Sequence, residues 1–243
     1  MIKLYADGAD MNGIIESAKD PNIVGFTTNP TLMRQAGVTD YTTFAKGAIN
    51  YLAAQRPGTN ISLEVFADKP DEILRQARLI DYWGEEAGYD VYVKIPVMYT
   101  NGQNTYDLIH TLSYEGIKVN VTAIFTVEQI QEVVDALHRK TPSIVSIFAG
   151  RIADAGMPAR EIISGGILHY DSIREAGDKV EFLWASSREA YNYINAQEAG
   201  CDIITMTPEL IKKVRGFGKD LFEFSQETCQ MFYNDAVKSG YSI

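Results

Sequence analysis

The sequence predicts an α/β chain folded as a (β/α)8 TIM barrel with a C-terminal helical extension. Three observations lead there. About eight short apolar runs rich in Val, Ile, Phe and Tyr recur along the chain, helical patterns lie between them, and no glycine-rich phosphate loop follows the first run. The strand candidates are residues 2–6, 23–27, 60–66, 91–97, 118–124, 143–148, 181–185 and 202–206. Strand then helix, repeated, implies crossovers and therefore a parallel sheet. A doubly wound open sheet would usually carry G-x-G-x-x-G after its first strand, where this chain has Tyr5-Ala6-Asp7-Gly8-Ala9-Asp10.

The helices between the strands carry their own signals. Residues 70–86 follow Asp68 and place Ile73, Leu74, Ala77 and Ile80 at helical spacing. Residues 126–138 open with T-V-E-Q, so Thr126 and Gln129 can form a capping box. Residues 187–199 stop at Gly200. No linker divides the chain, so one barrel domain over 1–243 is expected, with 216–243 as a helical tail. Phe222, Phe224, Met231, Phe232 and Tyr233 give that tail more apolar surface than a free segment carries. It is expected to pack on its own barrel or on a neighbouring subunit.

Composition excludes several classes. Twenty-two Lys+Arg against 32 Asp+Glu give a net charge of −10 over 243 residues, a poor balance for nucleic acid or an anionic membrane. Hydrophobic residues at 46% and charged residues at 22% are ordinary globular values, unlike those of a disordered chain. Cys201 and Cys229 make no disulfide framework and no metal spacing, which points to a reducing compartment. His110, His138 and His169 have no paired ligand spacing, so no metal is expected. There is no signal-peptide pattern and no apolar run of the roughly 18 residues a membrane helix needs. The expectation is a soluble cytoplasmic protein.

Barrel chemistry sits at the C-terminal ends of the strands, and several strands end in residues a core would not choose. Lys94 lies in Val91-Tyr92-Val93-Lys94-Ile95-Pro96-Val97, where Tyr92, Lys94 and Pro96 share one face. Pointed inward, its amine is a candidate nucleophile for a ketone; at a strand end it could equally snorkel to solvent. Glu64 is another charge inside a strand, either a proton carrier or the partner of a salt bridge. Asn120 and Thr122 face the same way and can bond sugar hydroxyls or a water. Asp7 ends the first strand and Thr28-Asn29-Pro30 the second, which turn or cap chemistry would also explain. Ser146 shares a strand face with Phe148, Arg151 follows that strand, and Ser186 and Arg188 close the seventh, a set that suits an anion site; surface pairing of the arginines to the many acids is the alternative.

Together these segments resemble the transaldolase family, in the compact branch that also contains fructose-6-phosphate aldolases. Gly25-Phe26-Thr27-Thr28-Asn29-Pro30-Thr31-Leu32 is similar to the family signature after the second strand, and Lys94-Ile95-Pro96 to its Schiff-base lysine segment. Asn120-Val121-Thr122-Ala123-Ile124-Phe125, Ser146-Ile147-Phe148-Ala149-Gly150-Arg151-Ile152 and Ala185-Ser186-Ser187-Arg188 match further runs in order. The resemblance implies transfer of a dihydroxyacetone unit between sugar phosphates, of the pentose phosphate pathway type, with no cofactor. Lys94, Asp7, Glu64 and Thr122 would be catalytic. Thr28, Asn29, Asn120, Ser146, Phe148, Arg151, Ser186 and Arg188 would bind substrate. The aldolases of this branch are expected to have Tyr and Gln where Phe148 and Glu64 stand, which favours transfer over release of free dihydroxyacetone. A sulfo-sugar substrate is a further alternative, since sulfonate could replace phosphate at the arginines. The resemblance also implies a ring-like homo-oligomer, a pentamer or a decamer, in which the last helix packs on a neighbour.

Overall fold

The computed structural model describes residues 2–243. Eight strands pair in sequence order, all parallel, and close on themselves: β1 (Lys3–Asp7), β2 (Ile23–Thr27), β3 (Asn60–Glu64), β4 (Asp90–Pro96), β5 (Val119–Ile124), β6 (Ser143–Ile147), β7 (Val180–Trp184) and β8 (Ile203–Met206). Around them run α1 (Met11–Ala18), α2 (Pro30–Gln35), α3 (Tyr41–Gln55), α4 (Pro70–Ala87), α5 (Tyr106–Tyr114), α6 (Val127–Ala136), α7 (Ala149–Asp154), α8 (Ala159–Ile173), α9 (Asn192–Ala199), α10 (Pro208–Val214) and α11 (Leu221–Ser239). The barrel is the predicted one. No helix of the described residues is long and apolar enough to cross a membrane.

The core has two parts because each strand is covered on both faces. Outward residues such as Val93, Ile95, Val119 and Val121 pack against the helices. Inward residues Tyr5, Tyr92, Ile144, Leu183, Ala185 and Ile203 form a separate plug inside the barrel. Gly25 is required opposite that plug, since a Cβ there would overlap the Tyr5 ring. The plug fills the N-terminal half of the barrel and leaves its C-terminal half for polar groups.

Element boundaries follow local chemistry. Thr126 and Gln129 form the capping box, and Gly200 closes α9 in the left-handed conformation at φ 87°. Asp68 does not cap α4; its carboxylate accepts instead from Thr100, tying the loop after β3 to the loop after β4. Strand β3 ends at Glu64 rather than Phe66, which is exposed. Helix α9 begins at Asn192, not residue 187, because the Asn192 side chain accepts from the Arg188 and Glu189 amides and holds 187–191 as a turn. Cys201 is buried but Cys229 is exposed on α11, so only one thiol is a packing residue. None of the residues of α11 is buried, and Leu221, Phe222 and Phe232 are 79%, 79% and 63% exposed. The tail therefore does not pack on its own barrel.

Candidate active site

A cavity of about 510 Å³ opens at the C-terminal end of the barrel. Asp7, Asn29, Glu64, Lys94, Thr122, Ser146, Phe148, Arg151, Ser186 and Arg188 all line it. The two other candidates, Thr28 and Asn120, are fully buried behind the wall.

Lys94 sits deep in this cavity because β4 alternates its side chains: Val93 and Ile95 go to the helices, Tyr92 and Lys94 to the interior. Its side chain is only 7% exposed, so it does not snorkel. The Nζ lies 3.0 Å from Glu64 Oε2 and donates to the Thr28 carbonyl at 2.8 Å. Thr28 thus serves the site through its backbone, while its hydroxyl donates to the Ser62 carbonyl. Glu64 is held in turn by Tyr41, whose hydroxyl donates to the Glu64 carbonyl at 2.8 Å. Two charges this far from water persist only as a hydrogen-bonded pair.

Asp7 faces the cavity from the end of β1. Burial pushes its carboxyl above the ordinary range; the Lys94 charge and a hydrogen bond from Thr27 pull it back, and the Glu64 charge adds to the rise. A carboxylate tuned upward in a cleft is a proton carrier by type. Thr27 and Thr205 complete this corner, the first donating to Asp7 Oδ1 at 2.7 Å and touching the second at 2.5 Å. Both line the cavity and neither stands out in the sequence, since Thr is an ordinary strand residue.

On the opposite wall, Asn120 is locked between Ser62 and Ser146: its Nδ2 donates to Ser62 Oγ at 3.0 Å and its Oδ1 accepts from Ser146 Oγ at 2.7 Å. Thr122 Oγ1 is buried and has no protein partner. That orphaned hydroxyl in a polar cavity is a place for a water or a substrate hydroxyl. Strand β5 slips register against β6 between Val121 and Ile124, and Ala123 takes a positive φ of 59° there. Alternation along β5 already faces Thr122 inward, and this irregularity brings Ala123 onto the cavity wall beside it. Asn29 caps α2, its Oδ1 accepting from the Leu32 amide at 3.0 Å, which leaves its amide nitrogen for other contacts.

The rim carries the cations. Arg151 on α7 lies 5.5 Å over the Phe148 ring. Arg188 is paired along one edge with Asp154, its Nη2 at 2.5 Å and its Nε at 3.1 Å from Oδ2. A guanidinium offers five donors, so its other edge is left for an anion. Ser186 is held at φ 62°, and a Cβ on Gly150 would overlap its carbonyl oxygen, so the loop after β7 leans directly on the start of α7. Ser187 fastens the same loop to the Thr205 carbonyl at 2.9 Å. Among the described residues no group of three or more His, Cys, Asp or Glu is placed to hold a metal ion.

Residues 4–242 match the family model described as transaldolase/fructose-6-phosphate aldolase. A probable transaldolase of Dehalococcoides mccartyi is 30% identical over 213 residues, covering 88% of this chain and 90% of that one. One from Caldicellulosiruptor saccharolyticus is 32% identical over 213 residues, covering 88% and 89%. A probable transaldolase 2 of Listeria monocytogenes is 30% identical over 236 residues, covering 93% and 99%. Among solved structures, dihydrodipicolinate synthase from Aquifex aeolicus superposes with a TM-score of 0.56 at 12% identity, over 87% of this chain and 71% of that one, which is a likeness of fold.

Proposed function

The chain belongs to the transaldolase/fructose-6-phosphate aldolase family, and we propose that within it the protein is a Schiff-base transaldolase moving a dihydroxyacetone unit from a ketose phosphate to an aldose phosphate. The observation that carries this is the buried Lys94 amine on Glu64 with Asp7 in the same cavity. Glu64 takes a proton from Lys94, and the neutral amine adds to the C2 ketone. Loss of water, its protons handled by Glu64 and a water on Thr122, gives the iminium. Asp7 then removes the C4 hydroxyl proton. The C3–C4 bond electrons move to C3 and are delocalised into the iminium, and the aldose phosphate leaves. The retained three-carbon carbanion adds to an acceptor aldehyde, Asp7 returns its proton to the new hydroxyl, and water releases the ketose. Asn29 and Ser146, with Asn120 behind Ser146, hold the hydroxyls of the retained unit. Ser186, Arg151 and Arg188 hold the distal phosphate.

Transfer is favoured over release by Phe148, whose ring lines the cavity and has no proton to give the carbanion. The exposed apolar residues of α11 support a homo-oligomer in which that helix packs on a neighbouring copy. The deciding experiment incubates the enzyme with fructose 6-phosphate, with and without an acceptor aldose phosphate, and measures products. Transferase activity appears as acceptor-dependent ketose formation with little free dihydroxyacetone. Rapid dihydroxyacetone release without acceptor would make the protein an aldolase.

A further inference from the structure

The Asp7 corner contains more than a carboxylate. Thr27 Oγ1 donates to Asp7 Oδ1 at 2.7 Å, and the same oxygen lies 2.5 Å from Thr205 Oγ1. A hydroxyl has one proton to give. With that proton committed to Asp7, the contact between the threonines can only be a donation from Thr205 to Thr27. We propose that Thr205 is a positioning residue for the reaction, the donor end of a hydroxyl chain through Thr27 that fixes Oδ1 of Asp7 and leaves Oδ2 to receive the substrate proton. This rests on the reading of Asp7 as the base.

The fold supports a directed chain. β1 lies between β8 and β2, Thr205 is on one flanking strand and Thr27 on the other, and their side chains meet over its inner face. The two residues are 5% and 3% exposed, and their hydroxyls bond to each other and to Asp7 rather than to other protein groups. Hydrogen bonds in such a chain polarise one another, and Thr27 donates more strongly when it also accepts. Asp7 Oδ2 makes no hydrogen bond to the rest of the chain among the described residues, although Asp7 lines the cavity. A proton arriving at Oδ2 leaves the chain's direction unchanged, whereas one carried on Oδ1 and directed at Thr27 would require both threonine hydroxyls to reverse. The arrangement therefore separates the oxygen that is held from the oxygen that reacts.

The charged groups facing Asp7 are Lys94 from β4 and Glu64 from β3, and neither touches Thr205. Thr205→Val removes the donor at nearly constant shape. Thr27 then donates more weakly, Asp7 becomes harder to ionise, and the acid limb of the kcat/KM–pH profile moves to higher pH. The expected result is a shift of about half a pH unit or more and a fall in kcat of about tenfold. KM for the ketose phosphate should stay within about twofold, and the borohydride-trapped Lys94 adduct should be retained. Thr205→Ser, which keeps the hydroxyl, should restore the limb and kcat. Melting temperatures of both variants report whether the barrel is intact. An unmoved acid limb in a folded Val variant, or a Ser variant that fails to rescue, would overturn the proposal and leave Thr205 as packing. Asp7→Asn is the separate control. If it still turns over, the reading of Asp7 as base fails; if it is dead while Thr205→Val matches wild type, only the hydroxyl chain fails.

Discussion

Glu64 and Lys94 are Cα register partners on β3 and β4, and their side chains meet inside the barrel with Oε2 and Nζ 3.0 Å apart. The pairing is set by the sheet, not by flexible side chains finding each other. A proton can pass between them without a bridging water.

Lys94→Ala should therefore abolish turnover, with a loss of at least about a thousandfold, and borohydride in the presence of substrate should trap an adduct on Lys94. Glu64→Gln keeps the shape but cannot accept the proton, and a loss of about 10²- to 10⁴-fold is expected. Peptide mapping of the reduced adduct checks both, and an adduct on another lysine would displace Lys94 from its role.

Arg188→Ala should raise KM for phosphorylated substrates by roughly 10- to 150-fold, the size of a lost hydrogen bond to a charged group. Free dihydroxyacetone lacks the anion and should be nearly unaffected. Steady-state kinetics on both substrates makes the comparison, and equal losses would remove Arg188 from the anion site.

Asp7→Asn should stabilise the fold while destroying activity. Burial raises the Asp7 pKa in the folded chain above its value in the unfolded chain. Between those two values the folded state binds more protons, so this carboxyl makes stability fall as pH rises. The asparagine does not titrate. The melting-temperature gain of the variant over wild type should grow as pH rises above the ordinary carboxyl pKa of about 4; a gain that shrinks with pH would contradict the assignment.

Truncation after Gly216 removes α11, none of whose residues is buried in the barrel. The shortened chain should keep the barrel's thermal transition and lose mass by light scattering. A truncated chain with the full-length mass would show that assembly lies elsewhere.

Phe148→Tyr should increase free dihydroxyacetone relative to transferred product. The added hydroxyl can reach the carbanion or the hydrolytic water, and one hydrogen bond of this kind is worth a shift of roughly tenfold. The product ratio at matched substrate is the readout. An unchanged ratio would mean that another group decides between transfer and release.

The strands were legible because each is an apolar run, and all eight ends fall within a residue or two of the sequence reading. Glu64 and Lys94 were legible for the opposite reason, as charges inside such runs, whereas Asp7, at the end of its run, gained a catalytic role only through the family resemblance. Thr27 and Thr205 were not, because only the closed sheet brings β2 and β8 together over β1. Nor was the pairing of Arg188 with Asp154, which are 34 positions apart. The start of α9 was misplaced because a side chain, Asn192, rather than the apolar pattern decides it. The left-handed Ala123 and Ser186 carry no sequence signal, since neither is glycine or asparagine.

The plug of Tyr5, Tyr92, Ile144, Leu183 and Ile203 beneath Lys94 makes the cavity a room with one door. For the two-substrate transfer proposed above, that fact dictates traffic. The first aldehyde stands between the retained fragment and the exit, so it must depart before the second can enter. An enzyme working by the proposed transfer cannot hold donor and acceptor together, and each of its cycles passes through a state in which the barrel carries a three-carbon passenger and nothing else. How long that passenger survives depends on how little water follows the departing aldehyde through the same door.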